Sequence, residues 1–404
     1  MKWSAPVHVA GSGIISSIGN TYDECLQALR ESKHGIRALT SLASVHKQKL
    51  PVGEVNLTHA ELAARAELKK PVTRTAMLGL LAAREALKNS GLKENSRWRK
   101  GLVSSTTVGG MDRSEIFFPA YLNDSSSGNL ADVIHHGCGA TTDIIAQHLG
   151  LDDFNATINT ACSSSANAII YGARLIRHGL LDVVVAGGTD ALTKFTINGF
   201  KSLMILDDEP CRPFDAARKG LNLGEGAGYV VLVSDKVLNE EGLQPKALVS
   251  GFANTNDAYH QTASSPEGRG SYEAMEKTLA MANLKPEQIS YINLHGTGTA
   301  NNDLSEGTAV KRLFADKLPP VSSTKAFTGH TLGASGGIEA VFSIMAITHQ
   351  CVFPNLRFQS PIPEINIHPQ QHFEERTIQH VMSNSFGFGG SCSSIIFSKT
   401  PLTR

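Results

Sequence analysis

The sequence predicts an α/β protein built from two similar halves. Short runs of β-branched residues alternate with segments of helical periodicity along the chain, which is typical of layered α/β folds. Five predicted strands precede residue 240 and five follow it. In each half, one of these strands leads through a short turn into a helix that begins with small residues. These observations favour an internal duplication over two unrelated domains.

The predicted strands form two sets of five in chain order. In the first half they lie near residues 7–15, 102–105, 156–160, 182–186 and 229–233. In the second half they lie near residues 247–252, 289–294, 321–323, 380–385 and 394–397. A polar segment at 234–246 (SDKVLNEEGLQPK), with Gly242 and Pro245, separates the two sets. We therefore expect an N-terminal half at residues 1–240 and a C-terminal half at residues 241–404.

The duplication places Cys162 and His330 at equivalent points of the two halves. Cys162 follows the strand at 156–160 and precedes a helix with a regular apolar repeat. His330 follows the strand at 321–323 and precedes a helix whose apolar residues share one face. If the halves pack about a pseudo-twofold axis, the two helix starts converge on one site.

Composition and charge exclude several classes of protein. Hydrophobic residues make up 41% of the 404 residues and charged residues 18%, which is ordinary for a globular chain with a sizeable core. Lys+Arg and Asp+Glu are both 37, so no overall charge favours nucleic acid or a membrane surface. The apolar runs all fall short of the roughly 20 residues that a membrane helix needs. His8, Gly11 and Gly13 interrupt the apolar run near the N-terminus, which makes this segment a poor signal peptide and a better first strand.

The cysteines indicate reduced thiols rather than a disulfide or metal framework. Six cysteines are scattered along the chain, without a C-x-x-C pair or metal-ligand spacing, at positions 25, 138, 162, 211, 351 and 392. We therefore expect a soluble, cytoplasmic protein without a metal site.

Cys162 is the first candidate for chemistry. At or near the first turn of a helix, unpaired N–H groups and the helix dipole favour an anion. A thiol in such a place can have its pKa lowered from about 8.5 to a range of roughly 3.5–7.5, which makes it a nucleophile near neutral pH. The alternative is a small buried hydrophobic residue, the commonest role of a single cysteine.

Three glycine-rich segments supply further candidates, each with a simpler structural alternative. His295 begins HGTGT at a strand end, where it could equally be a satisfied polar residue. Lys325 and His330 flank a glycine turn and could reach one pocket, or form only a solvated loop and helix cap. The segment 384–390 (NSFGFGG) could offer N–H groups to an oxyanion, or serve only as a turn between strands.

A fourth segment, 212–228, superficially resembles a nucleotide-binding loop. The residues after it, 229–233, predict a strand, whereas a phosphate-binding loop leads into a helix. We therefore reject nucleotide binding and expect this segment to be structural and to shape the site.

Four motifs in order carry a family resemblance: TACSSSA (160–166), HGTGT (295–299), KAFTGHTLGASG (325–336) and NSFGFGG (384–390). Together they resemble the β-ketoacyl-acyl-carrier-protein synthases, in particular the elongating type with a Cys–His–His site. The resemblance extends from residue 11 to residue 390, nearly the whole chain. It implies a duplicated, five-layered αβαβα thiolase-like fold and a decarboxylative Claisen condensation.

The resemblance also implies a role for each matching residue. Cys162 would carry the acyl group, and His295 and His330 would polarise the thioester carbonyl of malonyl-carrier. Lys325 would orient and charge-balance the histidines, with Glu339 in support. The N–H groups of Cys162 and Phe388 would hold the oxyanion, and the Phe388 ring would act as a gate. The implied substrate-binding residues are Thr297 and Thr299 for the phosphopantetheine arm, Val108 for the distal acyl pocket, and Phe386.

The implied partner is acyl carrier protein, which brings phosphopantetheine as part of the substrate, so no tightly bound cofactor is expected. A homodimer is expected from the family. A type II polyketide arrangement would instead pair this chain with a non-catalytic chain-length-factor-like homologue. The acyl chain and the pathway (fatty acid, polyene or polyketide) stay open at this point.

Two departures from the family pattern keep alternatives open. Ser391-Cys392 stands where the family usually has Thr-Asn, and a second cysteine near the C-terminus suggests a thiolase acting on coenzyme A esters. Residues 202–207 lack the basic side chains that often meet the carrier protein. Lys69, Lys70 and Arg74 are candidates to replace them, or are simply solvated.

Overall fold

The centre of the protein is a ten-stranded mixed β-sheet, seen in a computed structural model that describes residues 5–70, 72–93, 96–315 and 317–400. Residues 1–4, part of the segment considered as a signal peptide, lie outside this description. In chain order the strands are β1 (Val7–Ser16), β2 (Ile36–Ala38), β3 (Pro51–Gly53), β4 (Lys100–Ser105), β5 (Phe154–Ile158), β6 (Val183–Asp190), β7 (Gly226–Ser234), β8 (Ala247–Asn256), β9 (Tyr291–Asn293), β10 (Val321–Ser322), β11 (Cys351–Val352), β12 (Glu374–Glu375), β13 (His380–Phe386) and β14 (Ser391–Ser398).

Helices cover both faces of the sheet. In chain order they are α1 (Tyr22–Arg30), α2 (His59–Arg65), α3 (Arg74–Ser90), α4 (Met111–Asn123), α5 (Cys138–Leu149), α6 (Ser164–Arg177), α7 (Lys194–Ser202), α8 (Asp235–Glu241), α9 (Arg269–Ala282), α10 (Ala300–Phe314), α11 (Lys325–Thr328) and α12 (Ser335–His349). Among the described residues, none of these helices combines the length and the apolar character needed to cross a bilayer.

The strand order repeats across the molecule. The sheet runs β10-β9-β13-β14-β8-β1-β7-β6-β4-β5, and all ten of these strands overlap the ten segments predicted from sequence. From the centre outward, each half presents its first strand, then its fifth, fourth, second and third. The halves meet where β1 pairs antiparallel with β8 at His8↔Leu248 and Val9↔Ala247. The predicted duplication is therefore confirmed in the strand order.

The exact domain boundary stays a prediction. Residues 240 and 241, between which the boundary was placed, both belong to α8, so a cut there divides a helix. That helix ends at Gly242, which adopts a left-handed conformation with φ 66°.

Two buried helices form the middle layer. The α6 helix packs on β4 and β6 of its own half and on β8 and β14 of the other, and α12 packs on β13 as well as on β6 and β7. Every residue of α12 from Ser335 to Ile347 is buried, as expected for a helix that is apolar around its whole circumference. The middle layer lies between the two five-stranded parts of the sheet, since α6 and α12 both contact strands of both parts. The helices α3 and α5 cover the outside of one part, and α9 and α10 cover the outside of the other. The layers therefore follow the predicted αβαβα order.

Candidate active site

Cys162 lies at a strained turn between β5 and α6. Ala161, just before it, has φ 52°, a left-handed conformation that is rare for alanine. The Oγ of Ser164 accepts from Thr160 N at 2.8 Å and also bonds to Ala161 O, which holds the turn. The helix starts at Ser164, so Cys162 precedes the first helical residue by two positions.

The small residues after Cys162 allow the two central helices to approach closely. The Oγ of Ser165 accepts from Gly337 N of α12 at 2.7 Å. A Cβ added at Gly336 would lie 2.8 Å from Ala166 N of α6, and one at Gly337 would lie 2.4 Å from Gly228 O of the adjacent strand β7. The predicted convergence of the two helix starts is therefore confirmed, and it depends on the absence of side chains at this crossing.

The pKa of the Cys162 thiol is raised, to about 11, because the side chain is buried with only 6% of its surface exposed. The prediction of a lowered pKa was wrong, because burial outweighs the favourable field. The Lys325 ammonium and a hydrogen bond from Phe388 N–H do lower the pKa, but only in part. The N–H groups of Phe388 and of Cys162 itself both point at the sulfur, an arrangement that suits an oxyanion formed on a group attached there.

His330 is fixed by the segment that sequence analysis treated as structural. Its backbone N–H donates to Asn222 O at 2.7 Å, and its carbonyl accepts from Gly224 N at 2.9 Å. The Nδ1 atom accepts from Leu332 N at 3.2 Å and lies 2.9 Å from Ser335 Oγ. The prediction that residues 212–228 shape the site is confirmed, and the strand predicted at 229–233 is present as part of β7, which begins at Gly226.

His295 is held from two sides. Both carboxylate oxygens of Glu306 accept backbone N–H groups at 2.8 Å, one from His295 and one from Gly296. The Nζ of Lys325 donates to His295 Nδ1 at 3.2 Å and to His295 O at 2.6 Å, and pairs with Glu339 Oε1. Lys325 is therefore fully engaged behind the histidine, in the position that the resemblance implied.

These contacts decide the tautomer of both rings. Each Nδ1 receives a hydrogen bond from a group that can only donate, Leu332 N–H for His330 and the ammonium for His295. A neutral imidazole then carries its proton on Nε2. The rings lie edge to face with centroids 5.4 Å apart, and one nitrogen of each lies within 4.8 Å of the other and of the Cys162 sulfur.

The pKa of each histidine is lowered well below 6.5. Burial is the main cause in both, followed by the Lys325 ammonium, and His330 adds to the effect on His295. Neutral rings with Nε2–H groups suit hydrogen-bond donation to a developing anion.

A cysteine and two histidines this close together are also residue types that bind metal ions. Their Nδ1 lone pairs, however, already accept hydrogen bonds from the Lys325 ammonium and Leu332 N–H, which does not fit ligation.

A cavity of about 260 Å³ opens onto this cluster. Of the predicted site residues, its lining contains Cys162, His295, His330, Thr297, Thr299, Phe386 and Phe388. Lys325 and Glu339 lie behind the histidines. Val108 is not in this lining; it is buried beyond it in an apolar cluster that includes Leu332 and Leu192, so its assignment to an acyl pocket stays a prediction.

The lining also contains groups that sequence analysis missed. Phe200, on α7, stacks on the Phe388 ring with centroids 5.9 Å apart and planes 14° apart. Phe386, which was predicted, has its ring centroid 5.9 Å from that of His295. Met204 and Lys219 lie at the exposed rim. No sequence motif marks Phe200, because its contact with Phe388 joins segments far apart in the chain.

Two residues raised as alternatives have clear positions. Cys392 lines the same cavity, but burial raises the pKa of its thiol to about 12, and its polar contact is a weak one of 3.9 Å to Ser271 Oγ. Arg74 is 4% exposed and forms a bidentate pair with Glu225, at 2.6 and 2.9 Å. Because it is buried, the suggestion that Arg74 meets a carrier protein was wrong. Lys69 and Lys70 are exposed but lie outside the cavity lining.

Two family models and several curated proteins match this chain over most of its length. Residues 4–237 match the model of the beta-ketoacyl synthase N-terminal domain, and residues 246–359 match that of the C-terminal domain. The chain is 32% identical over 427 residues to 3-oxoacyl-[acyl-carrier-protein] synthase 2 of Staphylococcus aureus (strain COL), covering 99% of both chains. It is 34% identical over 410 residues to the Synechocystis enzyme of the same name, covering 97% of this chain and 98% of that one.

Solved structures agree with this assignment. The ishigamide ketosynthase/chain length factor superposes with a TM-score of 0.92 at 27% identity, covering 98% of this chain and 100% of that one. A Xenorhabdus doucetiae ketosynthase in complex with its chain length factor gives 0.85 at 28% identity, with 99% of each chain covered. With both domain models matched and full-length relatives above 30% identity, the chain belongs to the β-ketoacyl synthase family.

Proposed function

We propose that this chain is an elongating 3-oxoacyl-[acyl-carrier-protein] synthase, an acyltransferase that extends an acyl chain by two carbons from malonyl-carrier. The observation that carries the proposal is the convergence of the Cys162 sulfur with two imidazole nitrogens within 4.8 Å in one cavity. Both rings are held as Nε2–H donors. Relatives named for this reaction match over almost the entire chain.

In the first half-reaction the acyl group moves from the carrier arm to Cys162. The sulfur attacks the thioester carbonyl, and the oxyanion is held by the N–H groups of Cys162 and Phe388. Collapse expels the pantetheine thiolate, which takes up the proton that Cys162 loses. Thiol and thioester thus exchange without net gain or loss of a proton, so a resting thiol with a raised pKa is compatible with the step.

In the second half-reaction malonyl-carrier enters and loses carbon dioxide. The Nε2–H groups of His295 and His330 donate to the thioester oxygen, where negative charge develops as the C–C bond breaks. The carbanion attacks the acyl-Cys162 carbonyl, and the C–S bond breaks to release the 3-ketoacyl product. The Cys162 thiolate then takes one proton from solvent, which balances the carboxylate lost as carbon dioxide.

The remaining roles follow the shape of the cavity. Thr297 and Thr299, with hydroxyls 2.9 Å apart at the cavity wall, would bind the phosphopantetheine arm. Phe388, stacked on Phe200, would be the ring that moves when an acyl chain enters.

The phosphopantetheine arm arrives covalently attached to acyl carrier protein, so the proposal needs no resident cofactor. Six free thiols fit a reducing compartment, and we place the protein in the cytoplasm.

A heterodimer is a second candidate arrangement. Two of the similar structures are described as a ketosynthase with a chain length factor, at 27% and 28% identity. The relatives named 3-oxoacyl-[acyl-carrier-protein] synthase 2 have higher identity, and their names give no assembly. Activity of the pure chain alone would support a homodimer; inactivity alone with rescue by co-expression of a homologous non-catalytic subunit would support the heterodimer.

Intact-mass spectrometry tests the nucleophile. On incubation with acyl-carrier protein, the native chain and Cys392→Ala should gain the acyl mass, and Cys162→Ala should not. Cys392→Ala is the matched control, because both thiols line one cavity. An acyl adduct on Cys162→Ala would overturn the assignment.

A second assay separates synthase from thiolase. The synthase releases carbon dioxide from malonyl-carrier, whereas a thiolase cleaves 3-ketoacyl-coenzyme A with free coenzyme A. Cleavage without carbon dioxide release would contradict the proposal.

A further inference from the structure

Asp190, the last residue of β6, is a fully buried carboxylate that the mechanism above does not use. Its Oδ1 accepts from Thr106 Oγ1 at 2.6 Å and from the backbone N–H groups of Thr107 and Val108 at 2.9 and 3.3 Å. Its Oδ2 accepts from Thr107 Oγ1 at 2.6 Å and from Gly333 N at 2.7 Å. These five donors are neutral, so the carboxylate is held by oriented dipoles rather than by a cation.

The donors come from two turns on opposite sides of the carboxylate. One turn follows β4 and contains residues 106–108, including the predicted acyl-pocket residue Val108. The other contains Leu332 and Gly333, directly after His330. Asp190 therefore joins the wall beyond the nucleophile to the turn that carries a catalytic histidine.

Neighbouring N–H groups of the second turn have different acceptors. Leu332 N–H donates to His330 Nδ1, and Gly333 N–H donates to Asp190 Oδ2. Leu332 has φ 52°, an unfavourable conformation for leucine that needs support from its surroundings. A Cβ at Gly333 would lie 2.9 Å from Asp190 Oδ2, so this close approach depends on glycine.

We propose that Asp190 is a positioning residue for condensation: by anchoring Gly333 N–H, it keeps Leu332 N–H on His330 Nδ1 and the ring proton on Nε2. The inference rests on the proposed function and deepens it. Without the anchor, the strained Leu332 turn relaxes, and His330 is free to carry its proton on Nδ1. That tautomer presents a lone pair, not a donor, to the developing anion.

The chemistry of the five contacts suggests a selective variant. In Asp190→Asn, the remaining oxygen best faces the two fixed N–H groups of Thr107 and Val108. The new amide NH₂ then faces Gly333 N–H, a clash of two donors, while the Thr107 hydroxyl can rotate to accept. The substitution therefore breaks the Gly333 contact and largely preserves the other turn. Thr107→Val is the matched control, because it removes one bond to the same Oδ2 and leaves Gly333 N–H in place.

Three readouts test the inference on the full-length protein. For Asp190→Asn, kcat for carbon dioxide release from malonyl-carrier should fall roughly 10–100-fold, with KM nearly unchanged. Acylation of Cys162 by acyl-carrier should not slow, because loss of the Asp190 charge removes one of the contributions that raise the pKa of the Cys162 thiol. Nitrogen-15 NMR of histidine-labelled protein should show the His330 ring leave its Nε2–H state. Thr107→Val should match the native protein in all three.

The outcomes separate this inference from the proposed function. If the native chain releases no carbon dioxide, either alone or co-expressed with a homologous non-catalytic subunit, the proposed function fails. If the native chain is active and Asp190→Asn keeps both its kcat and the Nε2–H signal, only the inference fails. Should Asp190→Asn not fold, Gly333→Ala forces the same two groups apart and should give the same kcat loss; a native kcat there would overturn the inference.

Discussion

At Cys162, burial and electrostatics oppose each other. Burial raises the thiol pKa to about 11, and the Asp190 carboxylate adds to the rise, while the Lys325 ammonium and Phe388 N–H lower it. We expect the alkylation rate of Cys162 by iodoacetamide to keep rising above pH 9. Lys325→Met should react more slowly at each pH, because the ammonium no longer favours the thiolate. Peptide mass spectrometry between pH 6 and pH 10 measures both rates; a plateau below pH 8 would contradict the raised pKa.

His330 links stability to pH. Burial and the Lys325 ammonium lower its pKa in the folded chain, so below pH 6.5 the unfolded chain binds more protons. The free energy of unfolding should therefore fall as pH drops from 6.5. In His330→Gln this fall should be shallower, by up to about 1.4 kcal/mol per pH unit. Urea unfolding of both proteins from pH 7.5 to pH 5 tests this, and equal slopes below pH 6.5 would refute it.

The site residues differ in how well the sequence could identify them. Cys162, His295 and His330 each follow a predicted strand, but each local segment also allowed a structural role, and only the four motifs taken together identified the three residues. The carboxylates behind them, Glu306 and Asp190, act through contacts that join distant segments, and no local pattern marks such contacts. The predicted direction of the Cys162 pKa shift was wrong for the same reason. The helix start is a local feature, but the depth of burial is set by the whole fold.

Among the elements, the crossing of α6 and α12 sets the distance between nucleophile and histidine. A Cβ at Gly336 of α12 would lie 2.8 Å from Ala166 N, a backbone atom of α6 that cannot rotate away. We expect Gly336→Ala to destabilise the protein by about 1–3 kcal/mol, typical of an overpacked core. Condensation should slow more than the stability loss explains, because His330 moves with α12. Urea unfolding and carbon dioxide release measure the two effects.

Gly139 provides the control for that substitution. It lies on α5, and a Cβ there meets nothing within 4 Å. Gly139→Ala should leave activity unchanged and stabilise the protein slightly, by about 0.4–1 kcal/mol. If Gly336→Ala behaved like Gly139→Ala, the close helix crossing would not be what fixes the site.

The elements themselves were the most predictable level. All ten strands of the large sheet were located from β-branched runs, because strands buried in a layered sheet are apolar over most of their length. Strand ends were less exact. For example, β8 extends to Asn256, four residues beyond the predicted end, because β14 pairs with it there in a polar stretch. Pairing between distant strands sets such ends, and local sequence does not record it.

For the whole molecule, the two halves share one apolar core. The largest cluster joins Val7, Ile169 and Val184 of the first half to Ile344 and Phe397 of the second. A second cluster, which contains Trp98, draws only on residues up to Leu243. A chain with such a shared core should unfold as one unit, although its strand order is that of two similar halves.

Trp98 fluorescence can report this coupling. In a Trp3→Phe background, Trp98 is the single tryptophan, and it lies in the first half, away from α12. Ile344→Ala in α12 removes a fully buried side chain and should cost about 2–5 kcal/mol. If the halves are coupled, the urea midpoint from Trp98 fluorescence should fall by the same amount as that from circular dichroism. Leu180→Ala, at a side chain with 58% of its surface exposed, should shift neither. An unchanged Trp98 transition beside a lowered circular dichroism transition would mean that the halves unfold independently, because the cavity left by Ile344 would then destabilise only its own half.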